Sequence, residues 1–221
     1  SIANKFPNVF INFYNILNLS WTETVSLHFD DEDRDEFLTE TMTSLFKLFA
    51  AACFGIVACM PFVFPILINE KYVAGYDQIL ILMYAMLFRV LVGLYSCIYV
   101  AQKNAKKIAY TSISAAIINI TVNLILINKI KIFAASISTL VAFFSMFIIR
   151  YIDVNKTVHM RIRKPIIIGS ILIGTMLIGT YYCENKMIQL IALCITAIYA
   201  VLTNVDMLKS GMKLVKSRFG K

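Results

Sequence analysis

Charge is what this chain has least of. Only 15% of its 221 residues are Asp, Glu, Lys or Arg, where an ordinary soluble domain carries about 25%. With 59% apolar residues and a mean hydropathy of +0.75, the chain has too little polar surface to cover a water-facing core of its size. That excludes a soluble enzyme, a nucleic-acid-binding module and a disordered tail. Histidine is nearly absent. His28 and His159 stand near the ends of apolar runs, with no second ligand in sequence reach, so no metal site is expected. The cysteines Cys53, Cys59, Cys97, Cys183 and Cys194 contain no C-x-x-C. Their odd number and spacing give neither a disulfide framework nor a zinc site, and they read as small apolar packing residues. No glycine-rich phosphate loop is found. The N-terminus shows no charged segment followed by a short apolar run and a cleavage site, so no signal peptide is read at Ser1.

What remains is a set of apolar runs. A transmembrane helix needs about 20 mostly apolar residues, and seven stretches qualify: A (6–27), B (44–68), C (78–101), D (108–128), E (132–152), F (165–182) and G (187–207). They are too long for strands and do not alternate. Backbone groups in lipid must pair within their own segment, which also selects helix. The fold class expected is all-α, a polytopic transmembrane helix bundle of about seven spans. Residues 1–152 form the main bundle of spans A to E. Residues 153–221 supply a basic cytoplasmic link, a final two-helix hairpin and a basic tail. The links are short. Asn69 to Asp77 joins B to C, with Gly75 as breaker and Asp77 as N-cap. Asn128 to Lys131 makes a tight D–E hairpin, and Cys183 to Lys186 joins F to G.

The formal net charge of +8 is distributed by side. Arg34 in the A–B link, Lys103, Lys106 and Lys107 in the C–D link, Arg150, Lys156, Arg161, Arg163 and Lys164 in the E–F link with its helix end, and Lys209, Lys213, Lys216, Arg218 and Lys221 in the tail all fall on one side. The other side has Lys5, Lys71, Lys129, Lys131 and Lys186. The positive-inside rule therefore places the richer side and the C-terminus in the cytoplasm and Ser1 outside. An outside start without a signal predicts an upstream part with an odd number of spans.

Some polar groups stand where lipid would reject them. In span A, Asn8, Asn12 and Asn15 recur at i, i+4, i+7, Thr22 and Ser26 continue the face, and Glu23 lies about 60° to its side. This stripe should face protein or water. It reads as the wall of a polar pathway, as interhelical hydrogen bonding, or as one side of an interfacial helix. Span C carries Arg89 about 16 Å from each end, near mid-bilayer. An arginine there costs about 2.5–3.5 kcal/mol on insertion scales and cannot easily snorkel out. Gln78, Ser96 and Lys103 fall within about 40° of it on the helical wheel. A guanidinium fork in a cavity suits a phosphate or carboxylate; the alternative is a structural ion pair, for instance with Glu23. Span D adds Asn119 and Asn123 beside Ser112, Ala115 and Ala116, which suits close helix packing as well as cavity lining. Span E opens with small residues, Ala134, Ala135, Ser136 and Ser138. Ser170 with Gly174, and Thr175 with Gly179, make small-xxx-small pairs in F. Pro61 and Pro65 in span B mark a candidate gating hinge or a bend that ends the helix at the outer surface.

The acidic run from Asp30 to Glu36 contains D-x-D, Asp33 and Asp35, as any acid run does. It reads as a solvated loop with acids at the N-terminus of helix B, where the dipole favours them. The sequon Asn119-Ile-Thr121 lies inside a span and is not a glycan acceptor site.

Several segments together carry a resemblance. They are Ala3-Asn4-Lys5-Phe6-Pro7 entering span A, Trp21 near its end, Tyr99 to Lys103 with Lys106 leaving span C, and Asn119-(x3)-Asn123-Leu124 in D. Span E opens with Ala134-Ala135-Ser136-Ile137-Ser138-Thr139-Leu140 and closes with Arg150-Tyr151. In this order and spacing the chain resembles the C-terminal half of Wzx-type bacterial polysaccharide-repeat-unit flippases. That superfamily also holds multidrug extruders and the peptidoglycan-precursor flippase. The likeness covers residues 1–152; the last two spans share only hydropathy. Phe133 stands where such proteins usually have Gly before the Ala pair, a departure that bears on packing of the D–E hairpin.

The resemblance implies a fourteen-helix exporter of which this chain is the last seven, in the bacterial cytoplasmic (inner) membrane. The implied activity is not enzymatic. It moves undecaprenyl-diphosphate-linked oligosaccharide repeat units, for O-antigen, lipopolysaccharide or capsule, to the outer leaflet by alternating access. The implied partners are the lipid-linked oligosaccharide, membrane lipids, and the pathway's polymerase and chain-length components, with no nucleic acid. No cofactor is implied, and an H⁺ or Na⁺ gradient is the candidate driving force. The rival readings are a multidrug or other small-molecule exporter of the same superfamily and a membrane-embedded polysaccharide-pathway enzyme. The latter would want a large loop bearing His, Arg or Asp, which this chain lacks.

Overall fold

A computed structural model describes residues 2–67 and 75–210. The element order is a 3₁₀ turn at Ile2–Asn4, then α1 (Lys5–Leu27), α2 (Arg34–Leu67), α3 (Tyr76–Ala101), α4 (Ala105–Ile130), α5 (Ile132–Val154), α6 (Lys164–Tyr181) and α7 (Lys186–Thr203). Each expected span is a helix. Six of them, α2 to α7, are long and apolar enough to cross a membrane, and the chain is a multi-pass helical membrane protein. The exception is α1, whose 23 residues suffice in length but carry too many amides for that criterion. Most of the expected B–C link, with Lys71, lies outside the described residues, as do Ser1 and the tail cations Lys213, Lys216, Arg218 and Lys221.

Local chemistry sets the helix ends. Asn104 caps α4 by accepting the Lys107 N–H, and Asn185 caps α7 by accepting that of Met187 at 2.9 Å. Pro165 stands in the first turn of α6, where its missing N–H is no loss. The D–E hairpin is as tight as expected. Lys131 makes the corner with φ at 47°, a conformation glycine would hold with less strain. Gly75, not Asp77, precedes α3, and Asp77 lies inside its first turn, where a carboxylate suits the dipole. At the other end of the chain, α7 reaches Thr203, and the side-chain amide of Asn204 just beyond it donates to the Ala200 and Lys47 carbonyls.

The largest difference from expectation is α2. It starts ten residues before the predicted span, at Arg34, so the acidic segment is partly helical. A helix of 34 residues extends about 51 Å, well beyond a hydrocarbon core of about 30 Å. Its first turns are held by the E–F link. The His159 N–H donates to Asp35 at 2.9 Å, the Arg161 N–H to Thr39 at 3.3 Å, and Arg163 pairs with Glu40 at 2.9 Å. Of the two acids of the D-x-D, Asp35 is thus bound into a backbone strap while Asp33 is exposed, and no group of three or more His, Cys, Asp or Glu able to hold a metal occurs among the described residues.

Helix α3 lies at the centre. Residues around most of its circumference are buried, from Ile79 to Tyr99. It packs most extensively on α5 and then on α1; α4 leans on α5, while α6 and α7 pack on α2. One apolar core runs through Phe49, Phe54, Met83, Tyr95 and Leu177, so the hairpin α6–α7 continues the same bundle. Of the two small-residue pairs in α6, Ser170 and Gly174 are buried: Gly174 accepts from the Tyr84 hydroxyl at 2.8 Å, and the Ser170 and Tyr199 hydroxyls are 2.7 Å apart. Thr175 and Gly179 face outward. Tyr76 and Tyr181 stack at 4.4 Å, each hydroxyl donating to the other's backbone carbonyl, which ties α3 to α6 at one end of the bundle.

Both Pro61 and Pro65 lie inside α2, and the helix continues through each to its last described residue. Proline at 65 has no N–H for the carbonyl four residues earlier, which is that of Pro61. Lys186 fills the vacancy: its Nζ donates to the Pro61 oxygen at 3.0 Å and sits 5.6 Å from the Phe62 ring centroid. The pair of prolines is therefore braced from the start of α7. Lys186→Met should leave that carbonyl unpaired and lower stability by about 1–3 kcal/mol, measurable as thermal unfolding in detergent; an unchanged midpoint would show that the brace contributes nothing.

Candidate functional site

Arg89 projects from the middle of α3 on the one strip of that helix left uncovered, and its side chain is exposed. It lines two adjoining clefts. One, of about 330 Å³, is walled by Asn15, Asn18 and Thr22 of α1, Ser96 of α3, Ser112 of α4 and Arg150 of α5. The other, of about 520 Å³, continues between α4 and α5 past Ala116, Asn119 and Thr139. Ser112, Phe143 and Met146 border both. Together they form a groove with hydroxyls and amides at both ends and a guanidinium midway.

Among the described residues no carboxylate pairs with Arg89. Its nearest described partner is the Phe143 ring, 6.0 Å from the guanidinium carbon. Among the described residues the ion pairs are His28–Asp31, Arg34–Asp35, Lys107–Asp153, His159–Asp35 and Arg163–Glu40. Glu23, exposed on α1, is not Arg89's partner. The structural ion pair weighed from the sequence is therefore absent among these residues.

The second cation of the groove was counted in the sequence only as a topological charge. Arg150 is 2% exposed. Its Nε donates to the Thr111 hydroxyl at 3.0 Å, one terminal nitrogen to the Val92 carbonyl at 3.1 Å and to the Ser96 hydroxyl, and the other to the Ser112 hydroxyl at 3.4 Å. The guanidinium also lies 5.9 Å from the centre of the Tyr99 ring. All its partners are neutral. A buried charge is tolerated only when well hydrogen-bonded, and here the fork ties α5 to α3 and α4 at once. The sequence did hold a signal: Arg150 has Ile148, Ile149 and Ile152 around it, so it sits within an apolar run and not after one.

The wall from α1 rests on one glycine. The Tyr14 hydroxyl lies where a Cβ on Gly93 would be, and donates to Asn18. Thr22 and Cys97 meet at 3.2 Å beside it, and the Trp21 indole donates to the Leu94 carbonyl at 3.2 Å. These contacts hold α1 flat on α3.

The residues singled out from the sequence divide into three groups. Arg89, Asn15, Ser96 and Asn119 come together on the groove. Asn119 also bonds Thr139 and Ser138 of α5, each at 3.5 Å, so its packing and lining roles coincide. Asn8, Asn12 and Glu23 are exposed on α1 but do not border either cleft. Gln78 is buried between α3 and α5, accepting from Ser136 at 3.5 Å, and Asn123 also lies off the groove. Pro61 and Pro65 belong to α2, away from it. Sequence reasoning missed Tyr14, Asn18 and Arg150.

No protein-family model, no curated protein and no solved structure matches this chain.

Two substitutions test the construction of the site. Gly93→Ala should push Tyr14 off α3, break its bond to Asn18 and cost about 1–3 kcal/mol through overpacking, read as a lowered unfolding midpoint; pairing it with Tyr14→Phe, which leaves the ring in place, should not rescue it, whereas Tyr14→Ala should. Arg150→Lys keeps the charge but cannot span Thr111, Val92 and Ser112 together. It should lose about 2 kcal/mol of stability at charged hydrogen bonds, and wild-type stability in that variant would refute the cross-helix tie.

Proposed function

We propose that this chain forms part of a membrane flippase that carries an undecaprenyl-diphosphate-linked oligosaccharide from the inner to the outer leaflet, by alternating access. The observation that carries the proposal is Arg89, exposed at mid-helix with no ion pair among the described residues, in a groove of amides and hydroxyls. A guanidinium costs several kcal/mol against hydrocarbon, so the groove must hold water or an anion when the helices lie in a bilayer. The fork geometry of arginine matches a phosphate bidentately, and Asn15, Asn18, Asn119 and Thr139 offer sugar hydroxyls both donors and acceptors. Arg150, four residues before the end of α5, adds a second positive charge to the same groove. Moving a lipid headgroup across the hydrocarbon requires this kind of polar path and no bond-making, which suits a site without a nucleophile–base pair.

The site favours an anionic passenger over the cationic, apolar compounds typical of drug extrusion, because the groove is lined by cations and lacks acids among the described residues. The localisation that follows is the bacterial cytoplasmic membrane, with the C-terminus and the α2–α5–α6 strap on the cytoplasmic side by the charge asymmetry.

The test is complementation of a strain lacking this protein, at matched membrane levels. Arg89→Ala should abolish surface polysaccharide, and Arg89→Lys, which keeps charge but not the fork, should retain a fraction of it. Normal surface polysaccharide in both variants would remove Arg89 from the mechanism, and intact polysaccharide with new drug sensitivity on deletion would replace the passenger by a small molecule.

A further inference from the structure

A third cleft, of about 390 Å³, opens where α3 ends and α4 begins, and it shares no lining residue with the Arg89 groove. Its rim is polar and its wall is not. Lys107, in the first turn of α4, pairs with Asp153 at 2.7 Å, and the Tyr99 hydroxyl donates to the same carboxylate oxygen at 2.9 Å. Asp153 is thus occupied twice, and it fixes the Lys107 ammonium at the mouth of the cleft. Lys156, one turn further along the chain, also lines the cleft and is exposed, with no ion pair among the described residues. Lys106 is exposed beside Lys107. One carboxylate therefore faces an excess of ammonium groups.

The wall is made of Ile149 and Ile152, 39% and 54% exposed, with Tyr110 at 67%. A soluble anion would satisfy the lysines and leave the isoleucines bare. An apolar acyl chain alone would leave the lysines unanswered. The cleft calls for a molecule that is anionic at one end and hydrocarbon at the other. It sits in the terminal turns of helices long and apolar enough to cross a membrane, at the depth where headgroups lie, and Tyr110 occupies the position of an interfacial aromatic. Basic pockets between transmembrane helices at this level are suited to anionic headgroups.

We infer that the Lys107–Lys156 cleft binds the phosphodiester headgroup of an anionic phospholipid of the surrounding bilayer, whose acyl chains lie along Ile149 and Ile152. The ammonium of Lys156 takes the phosphate, Lys107 supports it from its Asp153 anchor, and the Tyr110 hydroxyl stands at the glycerol level. The site is independent of the passenger assigned to the groove and needs only that the helices lie in a bilayer.

Native mass spectrometry of the purified chain in detergent, titrated with dioleoyl phosphatidylglycerol or dioleoyl phosphatidylcholine, tests this. Phosphatidylglycerol should be retained about fivefold or more tightly than phosphatidylcholine, the preference expected of one lysine at an interface. Lys156→Gln combined with Tyr110→Ala should bring the two lipids to near parity. Lys129→Gln, an exposed cation at the far end of α4, should change nothing. Neither substituted lysine makes an ion pair among the described residues, so unchanged helical circular dichroism is expected and confirms that loss of preference is not loss of fold. Equal retention of the two lipids by the wild-type chain, a preference that survives in the folded double variant, or displacement of the bound lipid by millimolar glycerol phosphate alone would each overturn the inference.

Discussion

Arg150 is the joint on which the groove depends. One guanidinium, rooted in α5, reaches a backbone carbonyl and a hydroxyl of α3 and two hydroxyls of α4. In water such bonds contribute little net stability, because the alternative is hydration. Inside a helix bundle the alternative is a bare charge, so the same bonds become obligatory. They set the spacing of three helices, and that spacing leaves room for Arg89 to stand in a cleft instead of against a neighbouring helix. A carboxylate partner would have neutralised Arg150 and removed half of the groove's positive potential. Serines and threonines satisfy the donors while leaving the charge in place.

The bundle shows a division of labour that follows from burial. Helix α3 is enclosed on nearly every side and can serve as a fixed axis, with Tyr14 on Gly93 and Trp21 on Leu94 fastening α1 to it. Helices α4, α6 and α7 touch the rest over one face each and expose isoleucines and leucines on the other, as lipid-facing helices do. The strip of α3 between α1 and α5 combines a rigid backbone with an open side, and Arg89 lies there. A rigid support with a polar, uncovered strip is the arrangement a binding site needs.

Much of the fold was legible in the chain. Apolar run length is a local property, and in a solvent that cannot hydrogen-bond the backbone it leaves helix as the sole solution; hence six of the seven expected helices match to within a few residues. The exception, α2, ran longer because its first turns lie beyond the apolar stretch and are held by backbone and side-chain bonds from residues 159–163, some 120 positions away in the chain. Arg89 was found because a charge amid apolar neighbours is visible in one dimension. Asn8, Asn12 and Gln78 were grouped with it by helical phase alone, yet they lie along the helix away from the groove or under a neighbour, and phase carries no information about which helix comes to cover a face. Arg150 was counted with the charges of the E–F link because it stands near the end of its apolar run.

By itself, the order of residues determined the apolar helices found among the described residues, where all but α2 begin and end to within a few positions, and which carries a charge that lipid would refuse, because each of these depends on a residue and its near neighbours. What only the tertiary structure decided was the company those charges keep: Arg150 enclosed by hydroxyls, Lys186 on the Pro61 carbonyl, and Arg89 without a carboxylate among the described residues. Those outcomes depend on which helices meet and at what height, and that is set by the summed packing of the whole bundle, where a single glycine opposite a tyrosine fixes how near two helices lie.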